Sequence, residues 1–251
     1  MKKKLCAAVL ALSLACPSFH AQNLVNETPE QKDKRMEWFH KAKLGIFIHW
    51  GIYAVKGVSE SWSFYNKYLP HDEYLKQCEG FTASKYDPKA WVELIKESGA
   101  QYTVLTTKHH DGVALWDTKQ NGISVVKNTP AKRDLVTPFV NEVRKAGLRL
   151  GLYYSLPDWS HPDYPNMTRT DVRYKDDPKR WDNFCKFNFG QLAELNNTYK
   201  PDLYWFDGDW EMSAETWRAK EIMQLLRSNN KNVIVNSRIT GYGDYATPEQ
   251  G

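Results

Sequence analysis

Short runs of consecutive apolar residues alternate along the chain with longer segments of mixed polarity. Five such runs occur, at residues 44–49, 102–107, 148–155, 203–206 and 232–236. Their apolar residues are continuous rather than alternating with polar ones, as is typical of parallel strands that are covered on both faces. We therefore predict five parallel strands.

The segments between the runs carry signals for the beginning and end of helices. An Asp-Pro pair precedes two of them, at residues 87–88 and 177–178, and Asp134 and Ser213 precede two more. A further helix is predicted to begin at residues 28–29, before the first strand. Such residues cap the free N–H groups of a first turn or tolerate their absence, and a glycine follows two of the segments, as at many helix C-termini.

Repeated strand–helix units predict an α/β fold of the (β/α) TIM-like barrel type. A doubly wound sheet is the structural alternative, but no glycine-rich phosphate loop follows the first strand, which weakens it. Only five strands are predicted before residue 238, whereas a full barrel has eight and needs about 250 residues. We therefore expect the barrel to be incomplete in this chain.

The first 21 residues are predicted to be a signal peptide, which leaves residues 22–251 as the barrel domain. Three lysines at positions 2–4 precede an apolar stretch at 5–15, which is too short to cross a bilayer. Cleavage near Ala21 would give a secreted or periplasmic protein without a transmembrane segment. A partial lipoprotein signal before Cys16 leaves a lipid anchor at that cysteine as the alternative.

Composition excludes several classes of protein. Charged residues make up 25% and hydrophobic residues 41% of the chain, which is ordinary for a globular domain. Without the three lysines of the leader, 31 basic residues face 30 acidic ones, so nucleic acid and anionic membranes are not expected partners. Aromatic residues reach 14%, a weak indication of a sugar-binding cleft. The sequence leaves the oligomeric state open.

The cysteines do not predict a metal site or a particular disulfide. Cys78 and Cys185 lie outside the leader and could form a disulfide or remain as two buried thiols. The chain has neither a CxxC nor an HExxH arrangement, so a structural zinc site is not expected.

The strand at 203–206 ends in a carboxylate, Asp207, and Gly208 allows the backbone to turn beside it. A buried carboxylate lowers stability unless it is paired or used, and parallel barrels place their chemistry at the C-terminal ends of strands. The alternative is that Asp207 only caps the helix that follows.

Other strand ends carry polar and aromatic residues that would converge at the same mouth. The candidates are His49, His109, His110, Tyr153, Trp205, Asp207 and Arg238. A metal held by the three histidines and Asp207 could activate water. His109 and His110 argue against it, because neighbours on an extended strand point to opposite faces.

In the second chemistry, imidazoles donate hydrogen bonds to sugar hydroxyls and two carboxylates act on the glycosidic bond. Retaining hydrolysis needs carboxylates about 5–5.5 Å apart. Asp207 and Glu249 are 42 residues apart in sequence, which permits such proximity without requiring it.

Five ordered motifs together resemble the glycoside hydrolase family 29 α-L-fucosidases. They lie at residues 43–51, at 108–112 with Leu115-Trp116, at 147–155, at 205–208 and at 236–250. The resemblance runs from about Glu37 to the end of the chain. It implies an irregular (β/α) barrel, usually followed by a C-terminal β-sandwich that we do not expect here.

The implied reaction is the retaining hydrolysis of terminal α-L-fucose from glycans or glycoconjugates, through a covalent fucosyl-enzyme and without metal or cofactor. The resemblance makes Asp207 the nucleophile and places Trp205 in the pocket wall. It assigns the remaining substrate contacts to His49, His109, His110, Tyr153, Arg238, Glu60 and Trp62. The last two lie in a Ser-Glu-Ser-Trp segment, which has one serine more than the Glu-Trp segment of the family.

The acid/base is Glu249 in this interpretation, or else a glutamate further downstream in the family's pattern. Glu249 has a structural alternative too, because it follows Pro248 and could open a helix or orient Arg238. Two other readings of the chain stay open: a fucose-binding fragment without turnover, and a fragment that does not fold stably because its strand edges are unpaired. Linkage specificity would depend on the loops at 56–80 and 156–177.

Overall fold

The computed structural model describes residues 27–248, in which five parallel strands form one curved sheet. The strands are β1 (Gly45–Ile48), β2 (Tyr102–Lys108), β3 (Arg149–Ser155), β4 (Leu203–Asp207) and β5 (Ile234–Val235). They lie side by side in chain order, and each is parallel to the next. This confirms the predicted strands and the partial (β/α) barrel.

Helices connect the strands and cover the outer face of the sheet, except the first, which precedes β1 and packs against the inner face. Longer ones are α1 (Pro29–Ala42), α5 (Pro88–Glu97), α7 (Val136–Lys145), α8 (Pro178–Tyr199) and α9 (Ala219–Asn229). Short ones are α2 (Trp62–Tyr65), α3 (His71–Leu75), α4 (Gln77–Gly80) and α6 (Val125–Asn128), with 3₁₀ turns at Ile52–Ala54 and Asp209–Glu211.

The predicted helix starts are confirmed except the last. The side chains of Thr28, Asp87 and Asp177 accept backbone N–H groups of the first turns of α1, α5 and α8. The helix expected after Ser213 begins only at Ala219. Residues 213–217 instead close a separate turn, in which the N–H of Trp217 donates to the carbonyl of Ser213 at 2.9 Å, and Arg218 then adopts a left-handed φ of 54°.

The two faces of the sheet are packed differently. The outer face carries Leu152, Tyr154 and Phe206 into one large apolar core shared with the helices. The inner face has a much smaller cluster of buried apolar side chains, which consists of Met36, Val104, Tyr153, Leu203 and Ile234. Alternate strand residues therefore serve a solid core on one side and a partly open interior on the other.

Helix α1 packs against this inner cluster and joins the beginning of the described chain to its end. The Arg35 guanidinium donates to both carboxylate oxygens of Asp244, and Arg35 also pairs with Glu27. Phe39 and Tyr245 pack with ring centroids 4.7 Å apart. Asp244 in turn accepts the backbone N–H of Val235 in β5, so α1 is anchored to the last strand.

Cys78 and Cys185 are free and buried rather than joined in a disulfide. Burial raises the pKa of the Cys78 thiol to about 12 and that of Cys185 to about 11. The predicted leader lies outside the described residues. Between residues 27 and 248, no helix combines the length and apolar character needed to cross a bilayer.

Candidate active site

Asp207 is the last residue of β4 and lies at the mouth of the partial barrel, 9% exposed. The chain turns at Gly208, whose φ is +83°, and a Cβ on that residue would lie 2.3 Å from the ring of Pro157. A glycine is therefore required there for both conformation and space. The Asp207 carboxylate accepts the N–H of Gly208 at 3.0 Å but caps no helix, so the capping alternative is wrong.

Two side chains from neighbouring parts of the barrel hold the Asp207 carboxylate. The Tyr153 hydroxyl, on the inner face of β3, donates to Oδ2 at 2.7 Å. The Arg238 guanidinium donates to Oδ1, in an ion pair whose side chains are only 13% and 12% exposed. A cation and a hydroxyl so close fix the direction of the carboxylate.

His110 is fully buried, and its Nε2 faces Asp207 Oδ2 at 3.6 Å. Its Nδ1 lies 2.6 Å from the Ser155 hydroxyl, which donates its own proton to the Pro157 carbonyl. Nδ1 must therefore be the donor to Ser155. Burial lowers the pKa of His110 to about 4, with Asp207 opposing, so the ring is neutral near pH 7.

Because His110 Nδ1 carries the proton, its Nε2 is a hydrogen-bond acceptor. This atom is buried and has no hydrogen-bond partner among residues 27–248. The predicted hydrogen bonds from imidazoles to sugar hydroxyls stay a prediction, and with this tautomer a hydroxyl placed at His110 would be the donor. An unsatisfied buried acceptor next to a carboxylate marks a place for a polar ligand.

The other two histidines lie next to it in the same wall. The rings of His49 and His109 are 4.9 Å apart, and that of His109 stacks on Tyr153 at 5.7 Å. His109 Nδ1 is 2.6 Å from the Ser61 hydroxyl, and His49 Nδ1 is 3.2 Å from Thr106 Oγ1. Burial lowers the pKa of both rings, which remain neutral hydrogen-bonding groups.

Glu60 and Trp62 enter the site from the loop after β1. Glu60 Oε1 lies 4.0 Å from His49 Nε2, and burial raises the pKa of this carboxyl group. The backbone of Glu60 has a φ of 33°, which is unusual for a residue with a side chain. Trp62 packs edge-on against His110 with centroids 5.6 Å apart.

Trp205 lines the barrel interior two residues before Asp207, on the same face of β4. Its ring meets Phe47 of β1 edge-on at 5.2 Å and lies 6.2 Å from Tyr245. These aromatic rings lie deeper in the barrel than the carboxylate does. They form an apolar floor beneath the polar ring of histidines, Tyr153 and Asp207.

His109, His110 and Asp207 could in principle hold a cation, since their ligand atoms lie within 4.8 Å of one another. The stated objection to a metal, that neighbouring histidines point apart, is wrong. Strand β2 ends at Lys108, and the two rings turn to the same side with centroids 4.4 Å apart. A metal would nevertheless have to compete with the Arg238 cation for the same carboxylate, so the contacts fit a paired anionic nucleophile better.

Lys108 and Asp111 belong to the strand-end motif but lie behind the site rather than in it. Lys108 has no exposed surface, lies 3.7 Å from Asp158, and donates to the Tyr154 hydroxyl on the outer face. Burial lowers the pKa of Lys108 to about 8 and raises that of Asp111 to about 6. These charges support the loops that carry the histidines. The shift in strand register between Thr106 and Lys108 turns Lys108 outward.

The structure therefore brings together the predicted residues His49, Glu60, Trp62, His109, His110, Tyr153, Trp205, Asp207 and Arg238. Glu249 lies outside the described residues. Sequence reasoning missed the hydroxyls of Ser61 and Thr106, which orient two of the histidines. It also gave no role to Trp210, although its position three residues after Asp207 was a signal.

Comparison with known proteins identifies relatives for most of this chain. A family profile described as "Alpha-L-fucosidase" matches residues 12–251. The tissue alpha-L-fucosidase of Bos taurus is 33% identical over 220 residues, which cover 80% of this chain and 46% of that protein. An alpha-L-fucosidase of Branchiostoma floridae is 33% identical over 229 residues, covering 82% and 49%. The chain thus spans about half the length of these relatives.

Solved structures of alpha-L-fucosidases are also similar to this chain. Isoenzyme 1 of the Paenibacillus thiaminolyticus alpha-L-fucosidase superposes with a TM-score of 0.81 at 36% identity, covering 88% of this chain and 56% of that one. An alpha-L-fucosidase from Lactobacillus casei in complex with alpha-L-fucose product has a TM-score of 0.74 at 30% identity, covering 86% and 75%.

Proposed function

This chain belongs to the alpha-L-fucosidase family, and on that premise we propose that it carries the catalytic centre of a retaining exo-α-L-fucosidase. Its substrates would be terminal α-L-fucose residues of glycans or glycoconjugates. The observation that supports this most strongly is the Asp207 carboxylate, which is paired with Arg238 and aimed into a pocket by Tyr153.

In the proposed reaction one Asp207 oxygen attacks C1 of fucose, the bond from C1 to the leaving oxygen breaks, and that oxygen takes a proton from an acid. Water deprotonated by the same group then attacks C1 and releases Asp207, so two inversions give net retention. The Tyr153 hydroxyl and Arg238 restrain the carboxylate in position for attack.

The surrounding residues suit recognition of a small deoxysugar. Three neutral imidazoles offer hydrogen-bonding atoms to hydroxyls, and the unpartnered Nε2 of His110 accepts one. The aromatic floor of Phe47 and Trp205 suits the apolar face and methyl group of fucose. A ring of polar groups above an apolar floor would orient the sugar with C1 toward Asp207.

We assign the acid/base to Glu249, with a glutamate further downstream as the alternative. Glu249→Ala should lower kcat/KM for natural disaccharides far more than for a 4-nitrophenyl fucoside, because only the poor leaving group needs a proton. Equal losses on the two substrates would contradict this assignment.

The proposed activity is tested by measuring nitrophenol release from 4-nitrophenyl α-L-fucoside by the chain without its leader, beside Asp207→Ala. We expect release by the parent protein and a loss of about 10⁴-fold or more in the variant. Circular dichroism of both proteins serves as the control for folding. Activity that survives in Asp207→Ala would remove the nucleophile assignment.

A second candidate is a fucose-binding protein without turnover, which the same histidines and aromatic floor would also serve. A folded chain that binds fucose in calorimetry but releases no nitrophenol would establish this alternative.

We further propose that residues 1–21 direct export, with Cys16 as a lipidation site in the alternative form. Expression in a bacterial host followed by N-terminal sequencing of the exported protein tests this. A chain beginning near residue 22 supports cleavage after Ala21, and retention of Met1 in the cytoplasm contradicts export.

A further inference from the structure

Trp210 is exposed at the rim of the pocket, close to the proposed nucleophile. Of the tryptophans in residues 27–248, it alone is more than half exposed, at 53%. Its ring centroid lies 6.2 Å from that of the fully buried His110 and 5.4 Å from the guanidinium carbon of Arg238. Trp210 therefore connects the buried groups around Asp207 with solvent.

The exposed indole is held on both sides by its neighbours in sequence. The Asp209 carboxylate accepts the Thr240 hydroxyl at 2.7 Å, and its carbonyl accepts the indole N–H of Trp217 at 2.8 Å. Glu211 on the other side accepts three hydrogen bonds, from Trp159, Tyr164 and Asn166. A large apolar ring that is fixed in this way but leaves about half of its surface in water offers that surface to a ligand.

Trp62 extends the same surface. The indoles of Trp62 and Trp210 lie nearly parallel, at an angle of 15° and with centroids 6.4 Å apart. Trp62 is in turn packed edge-on against the buried Trp159 at 5.2 Å. The pair thus forms a supported aromatic surface that begins beside His110 and ends in solvent.

The position of this surface relative to Asp207 indicates what it would contact. Attack by Asp207 on C1 expels the leaving oxygen on the opposite face of the sugar ring. Trp205 and Phe47 lie deeper in the barrel, whereas Trp210 lies three residues beyond the end of β4. The leaving sugar has to extend from the pocket towards solvent, and Trp210 is an exposed ring at that rim, beside His110 and Arg238.

We infer that Trp210, with Trp62 beside it, is a stacking platform for the first sugar of the leaving group, and that it favours a pyranose with a continuous C–H face. This inference rests on the proposed fucosidase activity and adds a specificity-determining residue to it. Stacking restrains the leaving sugar after the fucose has entered its pocket, without a contact to C1 itself.

The test compares two substrates that share fucose but differ in the leaving group. α-L-Fucosyl fluoride has no ring to stack, whereas α-L-fucosyl-N-acetylglucosamine presents a pyranose. Trp210→Ala should lower kcat/KM for the disaccharide about tenfold and change that for the fluoride by less than about twofold. Trp210→Phe should restore most of the loss, since it keeps an aromatic face. Leu94→Ala, at an exposed apolar position on α5, is the matched control and should change neither value.

Equal losses on both substrates would place Trp210 in the fucose pocket and overturn the inference, as would no loss on either. If the parent protein fails to hydrolyse even the fluoride, the proposed activity fails instead. The platform is then judged by calorimetry in the Asp207→Ala background. Tighter binding of the disaccharide than of fucose, abolished by Trp210→Ala, supports it, and equal affinities contradict it.

Discussion

The inner and outer faces of the same sheet use neighbouring residues for opposite purposes. Tyr153 and Tyr154 are consecutive in β3, and both are buried with hydroxyls that donate hydrogen bonds. Tyr153 donates to the Asp207 carboxylate at the pocket, whereas Tyr154 donates to Asn188 in α8 and accepts from Lys108. The same type of residue thus serves the site on one face of the sheet and the core on the other.

The difference shows how the two tyrosines are employed. On the outer face, the hydroxyl of Tyr154 is enclosed between sheet and helix by Asn188 and Gln191. On the inner face, the groups around Asp207 include His110 Nε2, a buried acceptor that has no hydrogen-bond partner among the described residues. A free position among well-ordered neighbours is what a ligand requires.

The largest expected difference between the two faces is found at the neighbouring residues Phe206 and Asp207. Asp207→Ala should abolish turnover but leave the thermal unfolding midpoint within a few degrees of the parent, because the core is untouched. Phe206→Ala removes a fully buried ring from the outer core and should lower the free energy of unfolding by about 3–5 kcal/mol. Urea unfolding and nitrophenol release, measured on both variants, check the contrast. Similar effects on both properties would show that the two faces are not separable.

The tyrosine pair sharpens the comparison with a smaller change. Tyr153→Phe removes one hydrogen bond to a charged carboxylate and should lower kcat/KM about tenfold to hundredfold. Tyr154→Phe should leave kcat/KM nearly unchanged but lower the free energy of unfolding by about 1–3 kcal/mol, because Asn188 and Lys108 lose a buried partner. Steady-state kinetics beside denaturant unfolding distinguishes the two. A greater loss of activity in Tyr154→Phe would contradict the division of roles.

The last prediction concerns a pH dependence of the folding stability that His110 carries. Burial lowers its pKa from 6.5 to about 4 in the folded protein. Between these values the unfolded chain binds a proton that the folded protein does not, so stability falls as the pH drops from 6.5 towards 4. His110→Gln should remove roughly 3 kcal/mol of this pH-dependent loss.

Unfolding free energies at pH 7 and pH 4.5 measure that difference. His40→Gln, an exposed position on α1, is the matched control and should retain the slope of the parent. If the unfolding free energy of His110→Gln changes with pH as much as that of the parent, the buried neutral state of His110 does not cause the pH dependence.

The strands and most of the helices could be predicted because their signals are local. Continuous apolar runs give the strands, and Asp87 and Asp177 give two helix starts from neighbouring residues alone. The helix start predicted from Ser213 was wrong because a capping residue and a turn residue make the same short-range hydrogen bonds. The left-handed Arg218, which delays the helix, has no clear sequence signature.

The site itself was predictable as a set of strand ends but not as a network. The pairs Ser61–His109 and Thr106–His49 join residues 48 and 57 positions apart, and hydrogen bonds at such separations leave no local pattern. The predicted orientation of the two adjacent histidines, His109 and His110, was wrong for a related reason. The strand rule applies only while the strand lasts, and β2 ends one residue earlier, at Lys108.

The contact between Arg35 and Asp244 has a consequence for the order in which the chain acquires its structure. The two residues are 209 positions apart, so α1 emerges from the ribosome long before its carboxylate partner exists. Until then the buried cation has no Asp244, and the inner face of the sheet lacks the contact of Phe39 with Tyr245. Closing so large a loop is slow relative to pairing neighbouring strands. The outer core therefore has time to assemble during synthesis, while the interior that holds the pocket is sealed only after Asp244 and Tyr245 have been made.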